Sequence, residues 1–413
     1  MNEPASPSRA RPSSLVHVVW ELTLACDLGC KHCGSRAGKP RGDELSTREA
    51  LDVVAQLAAM GAKEVSLIGG EAYLRDDWHV IARAIRDAGM IASMVTGGRG
   101  FTKERARKAA EAGIDSISLS IDGLREAHDH QRGLAGSFDS AVAALRNLRE
   151  AGVSVSGNSQ LNRLSFPDLD GVLDLLIEHG CHGWQLAMTV PMGRAADRPD
   201  WLFQPVDLLQ VFPVLARLAA RGRASGLRLY PGNNVGYFGP HEHALRGALT
   251  EMTAGAHWDG CNAGVAGLGI EADGAIKGCP SLPTADYTGG NVRSRPIARI
   301  WEEAAELTWN RTGRTTELWG YCAACYYKDI CKGGCSWTAH VFFGRRGNNP
   351  YCHHRALEMQ RRGVRERLVP VTAAPGTPFD HGLFDLHEEP IETPSEPWPT
   401  LPGTPARRLP ILG

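Results

Sequence analysis

The sequence of 413 residues lacks long hydrophobic runs and lacks an excess of either charge. No apolar segment approaches the roughly 20 residues that cross a bilayer, and residues 1–14 lack the hydrophobic stretch of a secretory signal. Lysine and arginine total 45 against 46 aspartate and glutamate, so the basic excess typical of proteins that bind nucleic acid or anionic membranes is missing. We therefore expect a cytoplasmic protein with no nucleic-acid or membrane partner.

The composition is that of a folded protein, with 43% hydrophobic and 22% charged residues. At roughly 100–200 residues per domain, the length indicates two or three domains. The 11 cysteines are an odd number, and because the cytosol is reducing they are more often metal ligands or catalysts than disulfide partners. All but Cys181 fall into an early and a late group, namely Cys26, Cys30 and Cys33, and then Cys261, Cys279, Cys322, Cys325, Cys331, Cys335 and Cys352.

Strand-like runs alternate with helical patterns along the first half of the chain. Such alternation indicates a parallel sheet with right-handed crossovers. About six units in roughly 220 residues are too few for a closed barrel of about 250 residues, so we predict an α/β fold with a partial (β/α)6 TIM-like barrel, its functional residues at the carboxyl ends of the strands. The predicted strands lie near residues 16–20, 64–68, 91–95, 116–121, 153–160 and 183–188, and the predicted helices near 47–60, 102–112, 138–150 and 168–179.

The composition changes after the barrel. From about residue 255 cysteines, glycines and short strands dominate, so bound metal is expected to replace a large hydrophobic core. Ten of the 25 prolines lie in residues 370–413, which indicates an extended tail whose Phe379, Phe384 and Trp398 contact the rest of the protein. The predicted parts are a disordered leader (1–14), the barrel (15–235), a small cysteine-rich domain with its linker (236–365) and a Pro-rich extended tail (366–413).

The early cysteines are packed into the eight residues that begin at Cys26, shortly after the first predicted strand. Cys26, Cys30 and Cys33 can ligate three irons of a [4Fe–4S] cluster and leave the fourth iron open. An open metal position is where a substrate or cosubstrate binds. The same spacing also permits a zinc site with His32 as the fourth ligand.

This CxxxCxxC loop after a first barrel strand resembles the radical S-adenosylmethionine (SAM) superfamily. Gly69-Gly70-Glu71, after the second strand, is similar to the GGE motif of that family, which implies contact with the methionine amino group of SAM. The segments that contain Ser120 and Arg132 are also similar, which implies that these two residues hold the ribose or carboxylate of SAM. Two positions depart from the family pattern, Ala72 where proline is usual and Gly97 where asparagine is frequent, and they predict a differently shaped SAM pocket.

The resemblance also implies the chemistry. SAM chelates the open iron, the reduced cluster donates one electron to the sulfonium, and the resulting 5′-deoxyadenosyl radical removes a hydrogen atom from the substrate. The barrel would orient the reactants and exclude water. A ferredoxin- or flavodoxin-type protein is expected as the reductant.

The seven later cysteines follow the pattern C–x12–G–x4–C, then CxxCx5CxxxC, then C. A single CxxC is also common in zinc ribbons, but the whole pattern resembles the SPASM domain, which carries auxiliary iron–sulfur clusters. The resemblance implies an outer cluster on Cys322, Cys325, Cys331 and Cys352, and an inner cluster on Cys261, Cys279 and Cys335. Some relatives add a cysteine where this chain has Gly267, so the fourth inner ligand is left open between no ligand, Asp259, water and substrate.

The layout most resembles maturases of ribosomally synthesised peptides, including those of mycofactocin and pyrroloquinoline quinone biosynthesis. We therefore predict oxidative modification or crosslinking of a peptide, with the auxiliary clusters accepting electrons. About 15 residues precede the first strand, too few for a leader-binding domain, so a separate recognition protein or the tail is expected to present the peptide. The alternatives are a radical dehydrogenase of a small molecule, such as an amino sugar or alcohol, and a protein whose clusters are only structural.

Two residues argue against other activities of the family. Sulfatase maturases carry an aspartate base after the second cysteine of the SPASM domain, where this chain has Pro280. Radical epimerases need a spare thiol, and the only spare one, Cys181, is predicted to be a buried structural residue on the face opposite the site.

Overall fold

A computed structural model of the chain describes residues 14–247, 257–311 and 315–401. The predicted leader falls almost entirely outside these residues, as does the end of the predicted tail. All six predicted strands are present, and they form consecutive parallel pairs. They are β1 His17–Glu21, β2 Glu64–Ile68, β3 Ile91–Thr96, β4 Ser116–Ser120, β5 Ser154–Leu161 and β6 Gly183–Met188.

The sheet is wider than the six strands that the sequence predicts. A short seventh strand, β7 Arg228–Pro231, pairs in parallel with β6. On the other edge, three strands of the cysteine-rich part continue the same sheet, and they are β8 Gly267–Ile270, β9 Ala275–Lys277 and β10 Thr288–Asn291. The order is β10-β9-β8-β1-β2-β3-β4-β5-β6-β7, so the described strands form an open sheet that joins the barrel to the domain behind it.

Helices of the barrel part cover the outer face of the sheet. The first of them begins with a capping box, in which the Ser46 hydroxyl accepts from the Glu49 N–H while the Glu49 carboxylate accepts from the Ser46 N–H. They are α1 Thr47–Ala59, α2 Trp78–Asp87, α3 Lys103–Glu111, α4 Arg125–Arg132, α5 Ser137–Glu150, α6 Leu169–Glu178, α7 Leu208–Ala224 and α8 Glu242–Arg246.

One helical stretch, Pro199–Ala224, has the length and apolar composition that could cross a membrane. Of its apolar window, 61% is buried inside the protein, which is how a core helix also behaves.

The cysteine-rich part is built from short helices. They are α9 Thr284–Tyr287, α10 Ile297–Glu303, α11 Ala305–Thr308, α12 Tyr321–Ala324, α13 Lys328–Cys331, α14 Ser336–Phe343 and α15 His353–Arg361. A network of charges holds this part against the barrel, because Arg41 pairs with Glu21 of β1 and with Glu271, which in turn pairs with Lys277 of β9.

The prediction of an extended tail from residue 366 is wrong for residues 366–390, which belong to a hairpin. Strands β11 Val364–Thr372 and β12 Leu383–Pro390 form an antiparallel hairpin. The Glu366 carboxylate pairs with the buried guanidinium of Arg355 in α15, and the Leu368 backbone exchanges two hydrogen bonds with the Gln204 side chain of the barrel part. The hairpin is therefore anchored on both parts of the protein.

The aromatic residues of this C-terminal unit do contact the body of the protein. The half-buried Trp398 packs on Phe166 and Phe203, with ring centroids 5.5 and 5.6 Å away, and its Nε1–H donates to Asp207. Phe384 packs on Phe342.

We expect Trp398→Ala to lower the free energy of unfolding by about 2–4 kcal/mol, because it removes a large aromatic side chain from a packed site. Val371→Ala is the matched control, since Val371 of the same C-terminal unit is 54% exposed. Urea unfolding followed by circular dichroism measures both. Equal midpoints for the two variants would show that the segment around Trp398 does not stabilise the fold.

Candidate active site

A cavity of about 460 Å³ lies at the carboxyl ends of the barrel strands. Successive side chains of a strand point to opposite faces of a sheet. Asn158 and Gln160 of β5 and Gln185 of β6 therefore line the cavity, whereas their neighbours Ser159 and Trp184 are fully buried in the core. The cavity is thus lined by the inward-facing residues of the parallel strands.

The thiols of Cys26, Cys30 and Cys33 line this cavity together. Arg194 clamps their loop, because its Nε donates to the Cys30 carbonyl at 2.6 Å and both terminal nitrogens donate to the Ala37 carbonyl at 3.1 Å. Burial raises the pKa of Cys26 to about 12. Iron must displace these protons on binding, and three converging free thiols are donors that suit an iron–sulfur cluster.

The two glycines of the Gly69-Gly70-Glu71 segment allow it to approach the cysteine loop closely. The Gly70 N–H donates to the Thr23 carbonyl at 2.9 Å, and the Glu71 N–H donates to the Ala25 carbonyl at 2.8 Å. A Cβ atom at Gly70 would lie 2.1 Å from the Ala25 oxygen and 2.8 Å from Cys26 Cβ. These positions need glycine because the backbones touch.

The Glu71 carboxylate is buried at the end of β2. It accepts a hydrogen bond of 2.5 Å from the Thr96 hydroxyl and one of 2.6 Å from the Gly97 N–H. Burial raises its pKa to about 7, against the effect of these hydrogen bonds. A Cβ atom at Gly97 would lie 2.8 Å from the Glu71 Oε1 atom. Gly97, where the family frequently has asparagine, therefore leaves room for the Glu71 carboxylate in this position.

An aspartate that the sequence analysis did not single out organises the wall opposite Glu71. Asp122 is fully buried, and its Oδ2 lies 2.6 Å from Arg132 Nη2 and 3.0 Å from His32 Nε2. Burial alone would raise the pKa of Asp122, but Arg132 and His32 hold it well below its usual range. Arg132 also reaches the Cys30 sulfur, with its Nη1 atom at 3.6 Å. The sequence signal for Asp122 is its position two residues after the end of β4, at the carboxyl edge of the parallel strands.

The structure brings all eight early site residues of the sequence analysis to one cavity, where Ser120 is half-buried at the end of β4. His32, the alternative zinc ligand, faces Asp122 instead. The individual contacts to SAM stay predictions.

Three of the later cysteines, Cys261, Cys279 and Cys335, lie together in a shell that includes Tyr237, Trp258 and Tyr287. The pKa of Cys335 is raised to about 12, by burial first and then by the neighbouring Cys261 and Cys279. Residues next to this inner group also line the active-site cavity, and they are Pro280, Ser281 and Trp337. The inner group is therefore adjacent to the active site.

The other four later cysteines line a second, small cavity together, and they are Cys322, Cys325, Cys331 and Cys352. Tyr237 lies between this outer group and the inner one, because its ring lines the same small cavity while its hydroxyl oxygen accepts from the Cys335 N–H at 2.8 Å. The division into four and three matches the division that the family resemblance implies. That each group holds one cluster stays a prediction.

The remaining candidates lie elsewhere. Cys181 is buried just before β6, at the end of the strand away from the cavity. Gly267 begins β8 and pairs with His17, and Asp259 is exposed.

Two residues from distant segments, Trp337 and Phe379, form part of the cavity wall that no sequence motif indicates. Trp337 of α14 donates from Nε1 to the Met192 sulfur at 2.9 Å. Phe379, from the loop between β11 and β12, lies over the Lys277 ammonium, with Nζ 4.1 Å from the ring centroid. Met192, Trp337 and Phe379 line the cavity, whereas Lys277 lies behind Phe379 and is not among the lining residues.

Family comparisons match both parts of the chain. A model described as the Radical SAM superfamily matches residues 20–170. A model of the SPASM domain, described as an iron–sulfur cluster-binding domain, matches residues 261–326.

Two characterised relatives and one solved structure illustrate the range of similar proteins. The mycofactocin maturase MftC of Mycolicibacterium smegmatis is 32% identical over 342 residues, which cover 81% of this chain and 82% of that protein. The AdoMet-dependent heme synthase of Methanosarcina barkeri is 29% identical over 347 residues, with coverages of 82% and 96%. Streptococcus suis SuiB bound to the precursor peptide SuiA has a similar fold, with a TM-score of 0.64 at 18% identity and coverages of 83% and 75%.

We expect the anaerobically reconstituted protein to hold about 12 irons, and the triple variant of Cys26, Cys30 and Cys33 to alanine to hold about 8, because one cubane cluster is lost. Cys181→Ala is the control and keeps about 12. A content near four in the intact protein would contradict the auxiliary clusters. Iron and sulfide analysis measures these values.

Gly70→Ala tests the close packing of the two backbones. The added methyl group collides with the Ala25 oxygen, so we expect the loop to move and the iron content to fall from about 12 to about 8. Gly29→Ala is the control within the cysteine loop, since nothing lies within 4 Å of a Cβ there. Full iron content in Gly70→Ala would contradict this explanation of the glycine.

Proposed function

Because the chain belongs to the radical SAM superfamily and carries a SPASM domain behind its barrel, we propose that this enzyme oxidises or crosslinks a ribosomally synthesised peptide. Membership implies one [4Fe–4S] cluster that binds SAM, and auxiliary iron–sulfur clusters. When bound, the first cluster and SAM supply a 5′-deoxyadenosyl radical that removes a hydrogen atom from the substrate. The substrate class is the proposal, and it depends on the cavity.

The observation that carries the proposal is a set of three side-chain amides in the cavity. The side chains of Asn158, Gln160 and Gln185 line the cavity, and they make no hydrogen bonds to other residues in the described part of the chain. Each primary amide can both donate and accept. Such groups are complementary to the N–H and C=O groups of a peptide backbone.

A haem precursor, the substrate class suggested by the names of other relatives, fits the cavity less well. It carries several carboxylate groups, which proteins usually bind with arginine or lysine. Among the described residues that line the cavity, the cations of this kind are Arg132 and Arg194. Arg132 is held by Asp122, and Arg194 by backbone carbonyls. Because both arginines are already engaged, the cavity favours a peptide over a haem precursor.

The chain's own residues prepare the reaction in three ways. Asp122 fixes Arg132 beside Cys30, and Arg194 fixes the loop backbone. Trp337 and Phe379 line the cavity, and their apolar rings reduce the access of water to the reacting atoms. The inner group lies next to the cavity, so an auxiliary cluster held by its three cysteines would be placed to take one electron from a substrate radical, with the proton passing to solvent or a base.

An outer cluster would pass that electron onward, and the four cysteines that would hold it are only partly buried by the surrounding protein. The net change is the loss of two hydrogen atoms from the substrate, one to the deoxyadenosyl radical and one as a proton and an electron. A ferredoxin or flavodoxin as reductant, and a separate protein that presents the peptide, belong to the same proposal.

The test uses the reduced, cluster-loaded enzyme with SAM and a precursor peptide encoded beside its gene. We expect deoxyadenosine and a peptide lighter by two hydrogen atoms for each modification, measured by liquid chromatography and mass spectrometry. Fe-coproporphyrin III and an amino sugar serve as competing substrates. Turnover of either of them without turnover of the peptide would overturn the proposal.

Gln185→Leu tests the amide lining. The loss of a hydrogen bond to the substrate is expected to lower kcat/KM for the peptide by about tenfold or more, while the iron content stays unchanged. Gln360→Leu, on the exposed side of α15, is the control and keeps wild-type kinetics. An unchanged kcat/KM in Gln185→Leu would remove this residue from substrate recognition.

A further inference from the structure

The loop between the strands of the C-terminal hairpin, residues 373–382, reaches the active-site cavity through Phe379, and we name it the strap. The Gly193 N–H donates to the Asp380 carbonyl at 2.8 Å, and Arg36, just after the cysteine loop, donates to the Asp380 carboxylate at 2.8 Å. Phe379 lines the cavity although its φ is 58°, a conformation that costs energy for a phenylalanine. Such a conformation needs strong anchoring of the strap.

Three side chains that belong to none of the three cysteine groups meet beside the strap. They are Asp286 of α9, His340 of α14 and His381 of the strap, and one potential ligand atom from each lies within 4.8 Å of the other two. The His340 Nε2 and Asp286 Oδ2 atoms are 3.2 Å apart. Ligand atoms about 2.0–2.1 Å from a tetrahedral zinc ion lie about 3.3 Å apart, so this pair already has the spacing of two zinc ligands.

The second nitrogen of each imidazole is already engaged. The Nδ1 atom of His381 lies 2.8 Å from the Gly382 carbonyl, which can only accept, so Nδ1 carries the proton and Nε2 keeps a lone pair. The Nδ1 atom of His340 lies 3.0 Å from the Tyr287 hydroxyl. Histidine ligands of metals typically use one nitrogen for the metal and donate the other N–H to a neighbouring oxygen.

We propose that Asp286, His340 and His381 bind one Zn²⁺ ion, with water as the fourth ligand, and that this ion fastens the strap to the auxiliary domain. Two imidazoles and one carboxylate are a ligand set that zinc accepts in tetrahedral geometry. His340 is buried, whereas the Asp286 side chain is 52% exposed and leaves a path for the ion. This site is separate from the three thiol groups and adds to the proposed function.

The site would act on the active site through a short piece of backbone. His381 follows Asp380, and the Asp380 carboxylate pairs with Arg36. His381 itself forms a β-bridge with Met192 of the cavity wall. Phe379 lies two residues before His381. A cation held by His381 therefore fixes Phe379 over the cavity.

The experiment uses the full chain with all clusters reconstituted, so that the cluster thiols are occupied. It is incubated with one equivalent of ZnCl₂, gel-filtered and analysed for zinc and iron by mass spectrometry. We expect about one zinc per chain in the wild type, and almost none in His381→Ala or Asp286→Asn. His387→Ala, an exposed histidine of the same hairpin, is the matched control and keeps its zinc.

Limited proteolysis gives a readout that is independent of activity. Zinc is expected to slow cleavage within the strap in the wild type and in His387→Ala, but not in His381→Ala. Equal iron content in all variants shows that they fold. Three results would each overturn the proposal. They are equal zinc content in His381→Ala and the wild type, displacement of the zinc by equimolar Fe²⁺, and strap cleavage in the wild type at the same rate with and without zinc.

Discussion

The position of β1 between two parallel partners is the constraint on which the rest of the structure depends. Five residues pair with β2 on one side, and four of them pair with β8 of the auxiliary domain on the other. Because all three strands run in the same direction, the cysteine loop after β1 and Glu71 after β2 lie at one edge of the sheet. The hairpin from β8 to β9 returns Pro280 and Ser281 to the same cavity. The distance between the radical-generating loop and the inner cysteine group is thus fixed by backbone hydrogen bonds.

Much of this arrangement could be predicted from the sequence because its signals are local. Each of the six strands carries its own apolar pattern, and the cysteine spacings divide into the same groups that the structure brings together. The seventh strand was missed because Arg228–Pro231 is only four residues long and ends in proline. The pairing of β1 with β8 joins residues that are 250 positions apart, and no local pattern contains that information.

The C-terminal hairpin was missed for a related reason. Its prolines, including Pro370 within β11, argue against a strand in the middle of a sheet. A two-stranded sheet has only edge strands, where a residue without an N–H is tolerated, and the register shifts close to Pro370. The segment is rich in proline, but its proline content does not prevent it from forming a hairpin. Ion pairs such as Arg355–Glu366 supply the anchoring that the composition conceals.

The residues predicted to hold the radical-generating cluster and SAM, and the residues proposed to contact the substrate, come from different kinds of sequence. The first group lies in short motifs, whose spacing is set by the geometry of one cluster and one cosubstrate. The second group consists of amides on the inner faces of β5 and β6, Trp337 of the auxiliary domain and Phe379 of the strap. These residues come from segments far apart in the chain and share no motif, because each is chosen by its position around the cavity. The chemistry can therefore be inferred from the sequence, whereas the substrate that we propose depends on the residues of the folded cavity and on the position of the strap.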